Sequence, residues 1–444
     1  MSIKHKVGRL DVSTAEASAP VFVIINPAIS DAAERAPSVL NRMAARGPQY
    51  RVGLVPSATS RKWDFTAEPG SWCTQSVDVS GQHNMQEVLD LVAGQPLPVP
   101  IWATQVGEYL CVACDHGVGD SHVVFEICAA VSRGDVDSGF VEPLAPPTTT
   151  NPLISALFYL ATTTPRLFIE GFLALWKPAW PFFRKIVARL VHRPRQAPSE
   201  PAGDEYQDER YVAVWCKSSP EFIQEVRRYR DSKHPDVSAA AILMLSIYRA
   251  LQEAGVVLDD TLEVVVDLRR FLPPNKSTLA NFFSVVRVDI GGRRSMEEFS
   301  SALRQTAGSH HTLFVVAAHL VVNRVRSFLA RRTGKSGQSS RRSIRSPKTV
   351  LTISESKASA LAKISWTRSH DIDLAVAGQP ADQSHMTIYA YTLPDGSVQL
   401  TAAFYPSQTD KSLVLRGLSS ALNFEELERR LEPVAEPIQK KIGA

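Results

Sequence analysis

The chain has 444 residues, of which 44% are hydrophobic and 21% are charged, so it can bury a large core and is too long for one ordinary domain. This composition excludes wholesale disorder. The formal net charge of +4 is too small to indicate nucleic-acid binding, and the first residues, Met1–Lys6, are not followed by the apolar run of a signal peptide. We therefore expect a globular, cytoplasmic protein with no nucleic-acid partner.

The first third of the chain alternates strand and helix patterns. β-branched and alternating residues predict strands, and apolar residues at helical spacing predict helices. The predicted elements are a strand at Val21–Ile25, a helix at Asp31–Arg46, an extended segment at Tyr50–Val55, a helix at Met85–Val92, strands over Ile101–Cys114 bent at Gly107, and a helix at His122–Ser132. The glycine-rich turn His116–Asp120 thus lies between a strand and a helix, a common way to present a side chain at a cleft.

The five cysteines are odd in number and scattered, which favours reduced thiols over a disulfide framework. Cys111 and Cys114 form a C-x-x-C pair on a predicted strand, where residues three apart point to opposite faces. They cannot hold one metal ion together in that arrangement, and no second Cys or His pair has suitable spacing. We therefore expect no metal site.

The segment Leu153–Leu190 is rich in Leu, Phe and Trp, and basic residues follow it up to Arg195. Two alternatives fit this pattern: helices packed on the core, or a lipid-contacting surface with a basic rim. A spanning helix is not expected, because prolines and charges break every window of about 20 residues. Since a proline-rich stretch follows, we predict an N-terminal lobe over 1–195, a linker over 196–204 and a C-terminal lobe over 205–444.

The second half restarts the alternation of helices and strands. The predicted elements are helices at Pro220–Arg230 and Ser238–Ala254, strands at Leu262–Asp267 and Phe283–Ile290, and a hairpin over Thr387–Phe404 that turns at Asp395-Gly396. Between these strands and the hairpin, Arg324–Lys348 carries nine Lys or Arg and no acid. It is either a mobile, solvated loop or a docking surface for phosphates or an acidic partner.

The chemistry-bearing residues are concentrated in Asp115–His122, where an acid follows a histidine by four positions. Neutral imidazole accepts a proton near pH 7, so His116 on its turn suits a general base, and the Asp120 carboxylate can hold the turn through an ion pair. By itself H-x-x-x-D is a weak signal. The sequence has no G-x-S-x-G elbow and no Walker or G-x-G-x-x-G loop, so serine-hydrolase, nucleotide-hydrolysing and nicotinamide chemistry lack support.

The stretch Ile101–Ser132 resembles the strand, H-H-x-x-x-D-G motif and amphipathic helix of the chloramphenicol-acetyltransferase-like superfamily. Val264–Asn281 is similar to that family's D-L-R-x-x-L-P … G-N-x stretch, and Val350–Trp366 falls where the family carries S-N-x-G. The resemblance, which covers most of the chain, is to the polyketide-associated and wax-ester-synthase-like branch of this condensation-domain superfamily. It implies an α/β fold of two chloramphenicol-acetyltransferase-like lobes, each a mixed β-sheet with flanking helices, with an active-site tunnel between them.

Carried over residue by residue, the resemblance makes His116 the catalytic base. It makes Asp120 a structural carboxylate of the catalytic motif and Arg269 its partner from the other lobe. Asn281 matches the Asn of G-N and Ser354 matches the Ser of S-N. Both are therefore predicted to line the substrate tunnel.

The motif departs from the family pattern at two positions. Asp115 replaces the first His, and Ser121 replaces the Gly. If the turn requires a positive φ at position 121, serine costs about 1 kcal/mol there, and Gly117 and Gly119 would have to absorb the strain. The D-F-G-W-G motif of several branches is absent.

The resemblance implies an ester-forming acyltransferase that moves an acyl group from a thioester to a hydroxyl of a lipid, glycolipid or polyketide-type acceptor. Its expected partners are acyl-CoA or an acyl carrier protein, a hydrophobic acceptor and the anionic inner face of a membrane, on which it would lie peripherally. No cofactor is expected beyond the thioester co-substrate. The alternatives are an amide-forming condensation enzyme and a non-catalytic relative that binds a carrier protein or lipid.

Overall fold

The structure, a computed structural model, describes residues 3–16, 20–26, 32–73, 83–97, 99–133, 149–173, 209–291, 295–332, 348–357 and 372–432. Within these ranges the chain forms an α/β fold of three sheets with flanking helices. The helices are α1 (Arg9–Glu16), α2 (Ala32–Ala45), α3 (Met85–Val92), α4 (Ser121–Arg133), α5 (Pro152–Thr163), α6 (165–173), α7 (Phe222–Lys233), α8 (Ala239–Glu253), α9 (Met296–Gly308), α10 (His311–Arg332), α11 (Lys411–Ala421) and α12 (Phe424–Leu431).

The strands are mostly short and are distributed over the whole chain. They are β1 (Ile3–Lys6), β2 (Pro20–Asn26), β3 (Leu54–Val55), β4 (Lys62–Phe65), β5 (Ile101–Val106), β6 (Tyr109–Asp115), β7 (Val212–Lys217), β8 (Leu258–Asp267), β9 (Phe283–Asp289), β10 (Thr349–Lys357), β11 (Asp373–Gly378), β12 (His385–Thr392) and β13 (Val398–Phe404). Single 3₁₀ turns lie at Pro48–Tyr50, Pro69–Trp72 and Arg269–Phe271.

The first large sheet has four strands in the order β11-β2-β6-β5, and each pair in it is antiparallel. Strand β11 comes from the C-terminal half of the chain, yet it pairs with β2 over Asp373–Gly378. The second half therefore contributes an edge strand to the sheet of the first half. A small sheet, β1-β4-β3, lies beside it.

The second large sheet has six strands in the order β7-β13-β12-β10-β8-β9. Strand β10 runs parallel to both neighbours, β12 and β8, whereas the outer pairs are antiparallel. This mixed pattern follows from the connections, because parallel neighbours require a long crossover and β12 and β13 are joined by a tight turn. The α/β architecture expected from the sequence is confirmed.

Two layers of side chains cover the two faces of strand β2. Val23 and Ile25 belong to a cluster with α2 and α4, whereas Phe22 and Ile24 belong to a cluster that reaches α3, β7 and β13. The alternation arises because successive side chains of a strand point to opposite faces, and a strand buried on both faces is apolar throughout. A third cluster packs α7, α8, α11 and α12 on the six-stranded sheet.

Elements with strong local signals form where the sequence predicts them. Helix α3 begins at a capping box in which Asn84 accepts from the backbone N–H of Glu87 and the Glu87 carboxylate accepts from that of Asn84. The β12–β13 hairpin turns at Gly396, whose φ of 90° favours glycine. Gly107 turns between β5 and β6 with a φ of 55°. These predictions are confirmed.

Two predicted segments differ in the structure. Tyr50–Val55 was predicted to be extended, but only Leu54–Val55 is a strand, and Arg51 has a left-handed φ of 73° after the 3₁₀ turn. The basic segment begins within α10, which continues to Arg332, so its first part is helical rather than a loop. Residues 333–347 of that segment, like the predicted linker and its flanks over 174–208, lie outside the described residues. The lobe boundaries stay a prediction.

The described part of the apolar segment, helices α5 and α6, packs only partly. On α5, Leu153, Ala156 and Leu160 are buried, whereas Ile154 and Phe158 are 67% and 71% exposed. On α6, the apolar side chains that remain exposed are Leu167, Ile169, Phe172 and Leu173. One face of this segment therefore packs on the core, and the other is exposed. Whether the exposed face contacts lipid stays a prediction. Among the described helices, none combines the length and apolar character that crossing a bilayer requires.

Candidate active site

The turn between β6 and α4 carries His116 and is closed by its own side chains. The Asp115 carboxylate accepts the Gly117 backbone N–H at 2.7 Å, so the residue that departs from the family motif shapes the turn. Burial raises the pKa of Asp115 above its ordinary value, although the hydrogen bond from Gly117 opposes this. A Cβ on Gly117 would come within 2.9 Å of Ala15 and Pro56, so this glycine is required by close packing.

Ser121 causes no backbone strain in this turn. It is the first residue of α4, and Arg51 is the one described non-glycine residue with a positive φ. Neither Gly117 nor Gly119 has a positive φ either. The condition under which serine would be strained at position 121 is not met, because the helix starts there directly.

A buried ion pair holds the turn from behind. Arg51 donates from Nη2 to the Gly117 carbonyl at 2.8 Å and to Asp11 Oδ1 at 2.9 Å, and its Nε donates to the Val118 carbonyl. The side chains of Arg51 and Asp11 are only 7% and 1% exposed. A planar guanidinium can satisfy two carbonyls and a carboxylate at once, which fixes the backbone next to His116.

Asn281 adds a second support on the same side. Its Nδ2 donates to the His116 carbonyl at 2.7 Å and to Thr14 Oγ1 at 2.9 Å, and its backbone N–H donates to Asp11 Oδ1 at 3.3 Å. The residue is 2% exposed and does not line the cavity in front of His116. Asn281, predicted as a tunnel residue, is instead part of the scaffold behind the turn.

Asp120 forms an ion pair with Arg269, and Oδ2 and Nη2 lie 2.7 Å apart. Burial by itself would raise the pKa of Asp120, but the charge and hydrogen bond of Arg269 outweigh burial and hold that pKa below its ordinary value. Oδ1 of the same carboxylate accepts the His122 backbone N–H at 3.2 Å near the N-terminus of α4. Both oxygens of the Asp120 carboxylate therefore accept hydrogen bonds, one from the Arg269 guanidinium and the other from the His122 backbone N–H.

Arg269 links this acid to the segment that precedes β9. It donates from Nε to the Thr278 carbonyl at 3.1 Å and from Nη2 to the Ala280 carbonyl at 3.0 Å. Its Nη1 also contacts Asp267 Oδ1 at 3.3 Å. The guanidinium thus ties the β6–α4 turn to two elements of the second half of the chain, β8 and the 278–281 segment.

His116 faces a cavity of about 340 Å³ between the two large sheets. Val21 and Val376 line it from the four-stranded sheet, and strands β8, β9, β10 and β12 line it from the six-stranded sheet. The full lining is Val21, His116, Asp120, Ser121, His122, Phe125, Val265, Asp267, Arg269, Phe283, Ser354, Glu355, Val376, Thr387 and Tyr389. Of the predicted site residues, His116, Asp120, Arg269 and Ser354 meet here.

The imidazole of His116 stacks on Phe283, with ring centroids 5.6 Å apart and an interplanar angle of 23°. Its Nδ1 is buried and has no hydrogen-bond partner among the described residues. The arrangement differs from a Ser-His-Asp triad, in which an acid binds that nitrogen. The histidine is positioned by ring packing and by its own backbone.

The cavity wall supplies hydroxyl groups and a second histidine. Ser354 on β10 and Thr387 and Tyr389 on β12 come from adjacent strands, and burial raises the pKa of Tyr389, which keeps its phenol a hydrogen-bond donor. Burial, followed by the charge of Arg269, lowers the pKa of His122. His122 was interpreted as a helix residue facing its neighbours, whereas it lines the cavity.

The thiols are placed for packing rather than for reaction. Cys111 and Cys114 lie in clusters on opposite faces of β6, as predicted. Burial raises the pKa of Cys111 to about 12 and that of Cys73 to about 11, so neither is a thiolate near neutrality. Within the described ranges no three His, Cys, Asp or Glu side chains are grouped in a way that could hold a metal ion.

Sequence reasoning missed Asp11, Arg51 and Phe283. Arg51 reaches partners 40 to 67 positions away, so no local pattern announces its contacts. Phe283 is the first residue of β9, whose alternating pattern does not show which residue meets the imidazole. Asp11 is 0% exposed, and a buried acid requires a partner, but this burial cannot be read from the sequence.

The sequence matches no protein-family model and no curated protein sequence. Solved structures do match. The trichothecene 15-O-acetyltransferase TRI3 of Fusarium sporotrichioides has a TM-score of 0.54 and 12% identity over 96% of each chain. The EpoB nonribosomal-peptide-synthetase cyclization-docking bidomain of Sorangium cellulosum has a TM-score of 0.56 and 11% identity over 97% of this chain and 85% of that one.

The condensation domain of the Monacolin K polyketide synthase MokA has a TM-score of 0.51 and 11% identity over 97% of this chain and 98% of that one. At such low identities these likenesses establish the fold. The chain has the two-lobed α/β fold of condensation domains and O-acetyltransferases, and it presents a histidine at the cavity between its sheets.

Proposed function

We propose that this chain is an acyltransferase that moves an acyl group from a thioester to a hydroxyl, with His116 as the general base. One observation carries the proposal: the His116 imidazole lines the cavity between the sheets while Arg51 and Asn281 hold its backbone. A base must be fixed within hydrogen-bond reach of the proton that it takes. The fold is shared with an O-acetyltransferase and a condensation domain, which supports the same chemistry.

In the proposed mechanism, His116 takes the hydroxyl proton as the acceptor oxygen attacks the thioester carbonyl. The C–O bond forms first and gives a tetrahedral oxyanion, and the C–S bond then breaks as the imidazolium returns the proton to the leaving thiolate. The hydroxyls of Ser354 and Thr387 are our candidates for stabilising the oxyanion, because both line the cavity with His116. Atoms and charge balance without a covalent enzyme intermediate.

Asp120 and Arg269 act as structural groups in this proposal. Their ion pair ties the start of α4, which lines the cavity, to the segment before β9. The pair does not reach the imidazole nitrogen as a triad acid would, so it acts through the position of the turn. We assign Asp120 as a positioning residue of the motif rather than as a proton carrier.

The donor is proposed to be acyl-CoA or an acyl carrier protein, and the acceptor a lipid, glycolipid or polyketide-type alcohol. The exposed apolar residues of α5 and α6 support a hydrophobic acceptor met at an anionic membrane surface. The polyketide-associated and wax-ester-synthase-like branch stays the proposed affiliation. This chemistry needs no cofactor beyond the thioester.

Amide formation is a second candidate, and two cavity carboxylates favour it. Asp267 and Glu355 line the cavity, and carboxylates there would attract a protonated amine before it is deprotonated for attack. The same base serves both reactions, and only the acceptor atom differs. A direct comparison of octanol and octylamine as acceptors with one acyl-CoA distinguishes the two.

The proposal is tested by incubating the purified protein with acetyl-, octanoyl- and palmitoyl-coenzyme A and a lipid extract, followed by mass spectrometry. The account predicts acyl esters that form with wild-type protein and not with His116→Ala. The same extract incubated with heat-denatured protein provides the background. Tight thioester or lipid binding without product would contradict acyl transfer and favour the non-catalytic, carrier- or lipid-binding relative.

A further inference from the structure

A second cavity, of about 490 Å³, lies behind the scaffold that holds the His116 turn. Its walls come from β1 and α1 on one side and from α5 and α10 on the other. Asp11 and Ala280 belong to its lining, so it borders the groups that support the turn without containing His116. Its volume falls in the range of about 300–1,000 Å³ that small-molecule sites occupy.

One wall of this cavity is apolar and continues to the surface. Leu153 and Ile154 of α5 face it, together with Ala317, Leu320 and Val321 of α10. Ile154 is 67% exposed and Val321 is 49% exposed, so the wall passes into the apolar outer face of these helices. Such a surface favours a ligand with a hydrocarbon part.

The opposite wall carries three cations, Lys6, Arg9 and Arg61. The described part of the chain places no carboxylate in ion-pair contact with any of them. The one acid in the lining, Asp11, is already engaged by Arg51 and by the Gly8 backbone N–H. Lys6 and Arg9 are exposed and Arg61 is half-buried, with its Nε donating to the Val7 carbonyl at 3.1 Å, so all three charges can attract an anionic ligand.

We propose that this cavity binds a single-chain anionic amphiphile, whose carboxylate or phosphate head meets Lys6, Arg9 and Arg61 while its hydrocarbon chain lies along α5 and α10. The charge pattern selects the head, and the apolar wall selects the chain. The site goes beyond the proposed acyl transfer because it uses none of the residues that line the His116 cavity. Because the lining residues enclose a concave volume, the site suits a single amphiphile molecule rather than a bilayer.

The test uses decanoate below its micelle concentration and isothermal titration calorimetry on the full chain. We expect one decanoate per chain and much weaker binding of decanol, which has the same chain and no charge. Arg9→Gln combined with Arg61→Gln should weaken decanoate binding by about tenfold or more, because two charge contacts are lost. Leu320→Trp, which fills the cavity, should remove binding, and the double substitution Arg227→Gln with Arg228→Gln on α7 is the matched control for charge.

His116→Ala separates this proposal from the proposed function. It should bind decanoate like wild-type protein, since the residue lies outside the second cavity. Decanoate binding that is unchanged by both Leu320→Trp and the Arg9–Arg61 double variant would overturn the site. So would protein that sediments with phosphatidylcholine–phosphatidylglycerol vesicles but leaves decanoate unbound, since that result assigns the apolar face to a membrane instead.

Discussion

At the scale of single residues, the ion pair between Asp120 and Arg269 joins two residues of the cavity lining that lie 149 positions apart in the chain. The side chains of Asp120 and Arg269 are 10% and 20% exposed, so both charges are largely removed from water. A buried pair is costly to break because the charge left behind has no partner. We therefore expect the stability of the fold around His116 to depend on both residues.

We predict that Asp120→Asn lowers the free energy of unfolding by about 3–5 kcal/mol, because it removes the buried acid and leaves Arg269 with only the exposed Asp267 as a counter-charge. Chemical denaturation of the single variants and of the double variant with Arg269→Met measures the coupling. Asp267→Asn is the matched control, since Asp267 contacts the same guanidinium but its side chain is 63% exposed. Strictly additive losses for Asp120 and Arg269 would show that the pair contributes no coupling.

The same pair predicts a dependence of stability on pH. Arg269 holds the pKa of Asp120 below its ordinary value in the folded chain, so the stabilisation is complete above the unfolded value of about 3.9 and is lost as pH falls through the folded value. The difference in unfolding free energy between wild-type protein and Asp120→Asn should stay constant from pH 7 to 5 and narrow only in stronger acid. A difference that already narrows near pH 6.5 would point to a histidine instead.

At the scale of elements, the β6–α4 turn is held by long-range contacts rather than by its own sequence. Arg51, from the loop before β3, binds the carbonyls of Gly117 and Val118, and Asn281, from the segment before β9, binds that of His116. Two separate parts of the chain therefore fix one backbone stretch. The position of His116 depends on both.

We predict that Arg51→Lys reduces kcat by about ten- to a hundredfold with little change in KM. The lysine ammonium cannot reproduce the guanidinium of Arg51, which donates to two carbonyls and to Asp11 at once. Steady-state kinetics with the best acyl-CoA measure the separation of kcat from KM. The same substitution at the exposed Arg228 of α7 is the control. An unchanged kcat would show that the contacts of Arg51 with Gly117, Val118 and Asp11, which we call the Arg51 clamp, do not set the position of His116.

Features that depend on local sequence were predicted, whereas features that depend on distant contacts were not. Helix α3, the β12–β13 hairpin and the strand–turn–helix around His116 follow from residues within one segment, and all were predicted. Three features were not: β11 pairing with β2, the Arg51 clamp and the position of Asn281 behind the turn. Each joins residues far apart in the chain. The periodicity of a sequence predicts secondary structure, but it does not show which distant residue a side chain contacts.

At the scale of the whole molecule, the cavity lies where the two large sheets approach each other. Strand β11 brings Val376 into the four-stranded sheet, and this residue lines the cavity opposite the six-stranded sheet. The two halves of the chain are thereby interlocked around the site. A base between two sheets can meet a donor and an acceptor that arrive by different routes, as the proposed transfer requires.

Electrostatic attraction across the molecule should assist binding of the proposed donor, because coenzyme A thioesters and acyl carrier proteins are anionic. We predict that the donor KM rises as salt is raised well above about 0.1–0.15 M, where charges more than a Debye length apart are screened. Replacing Arg341, Arg342 and Arg345 by Gln should raise the donor KM in low salt. Replacing the exposed Arg227, Arg228 and Arg304 by Gln is the control. If both triple variants change the donor KM equally, the basic segment has no specific role in donor binding.

The central claim is that His116 is the base, and substitution of this residue by alanine tests it most directly. Turnover by His116→Ala at saturating thioester and acceptor is compared with that of wild-type protein and of His122→Ala, the neighbouring histidine in the same cavity. The account predicts a loss of about 10²–10⁴-fold for His116→Ala, a much smaller loss for His122→Ala, and thermal unfolding of both variants close to that of wild-type protein. Folded His116→Ala protein that turns over at the wild-type rate would contradict the account.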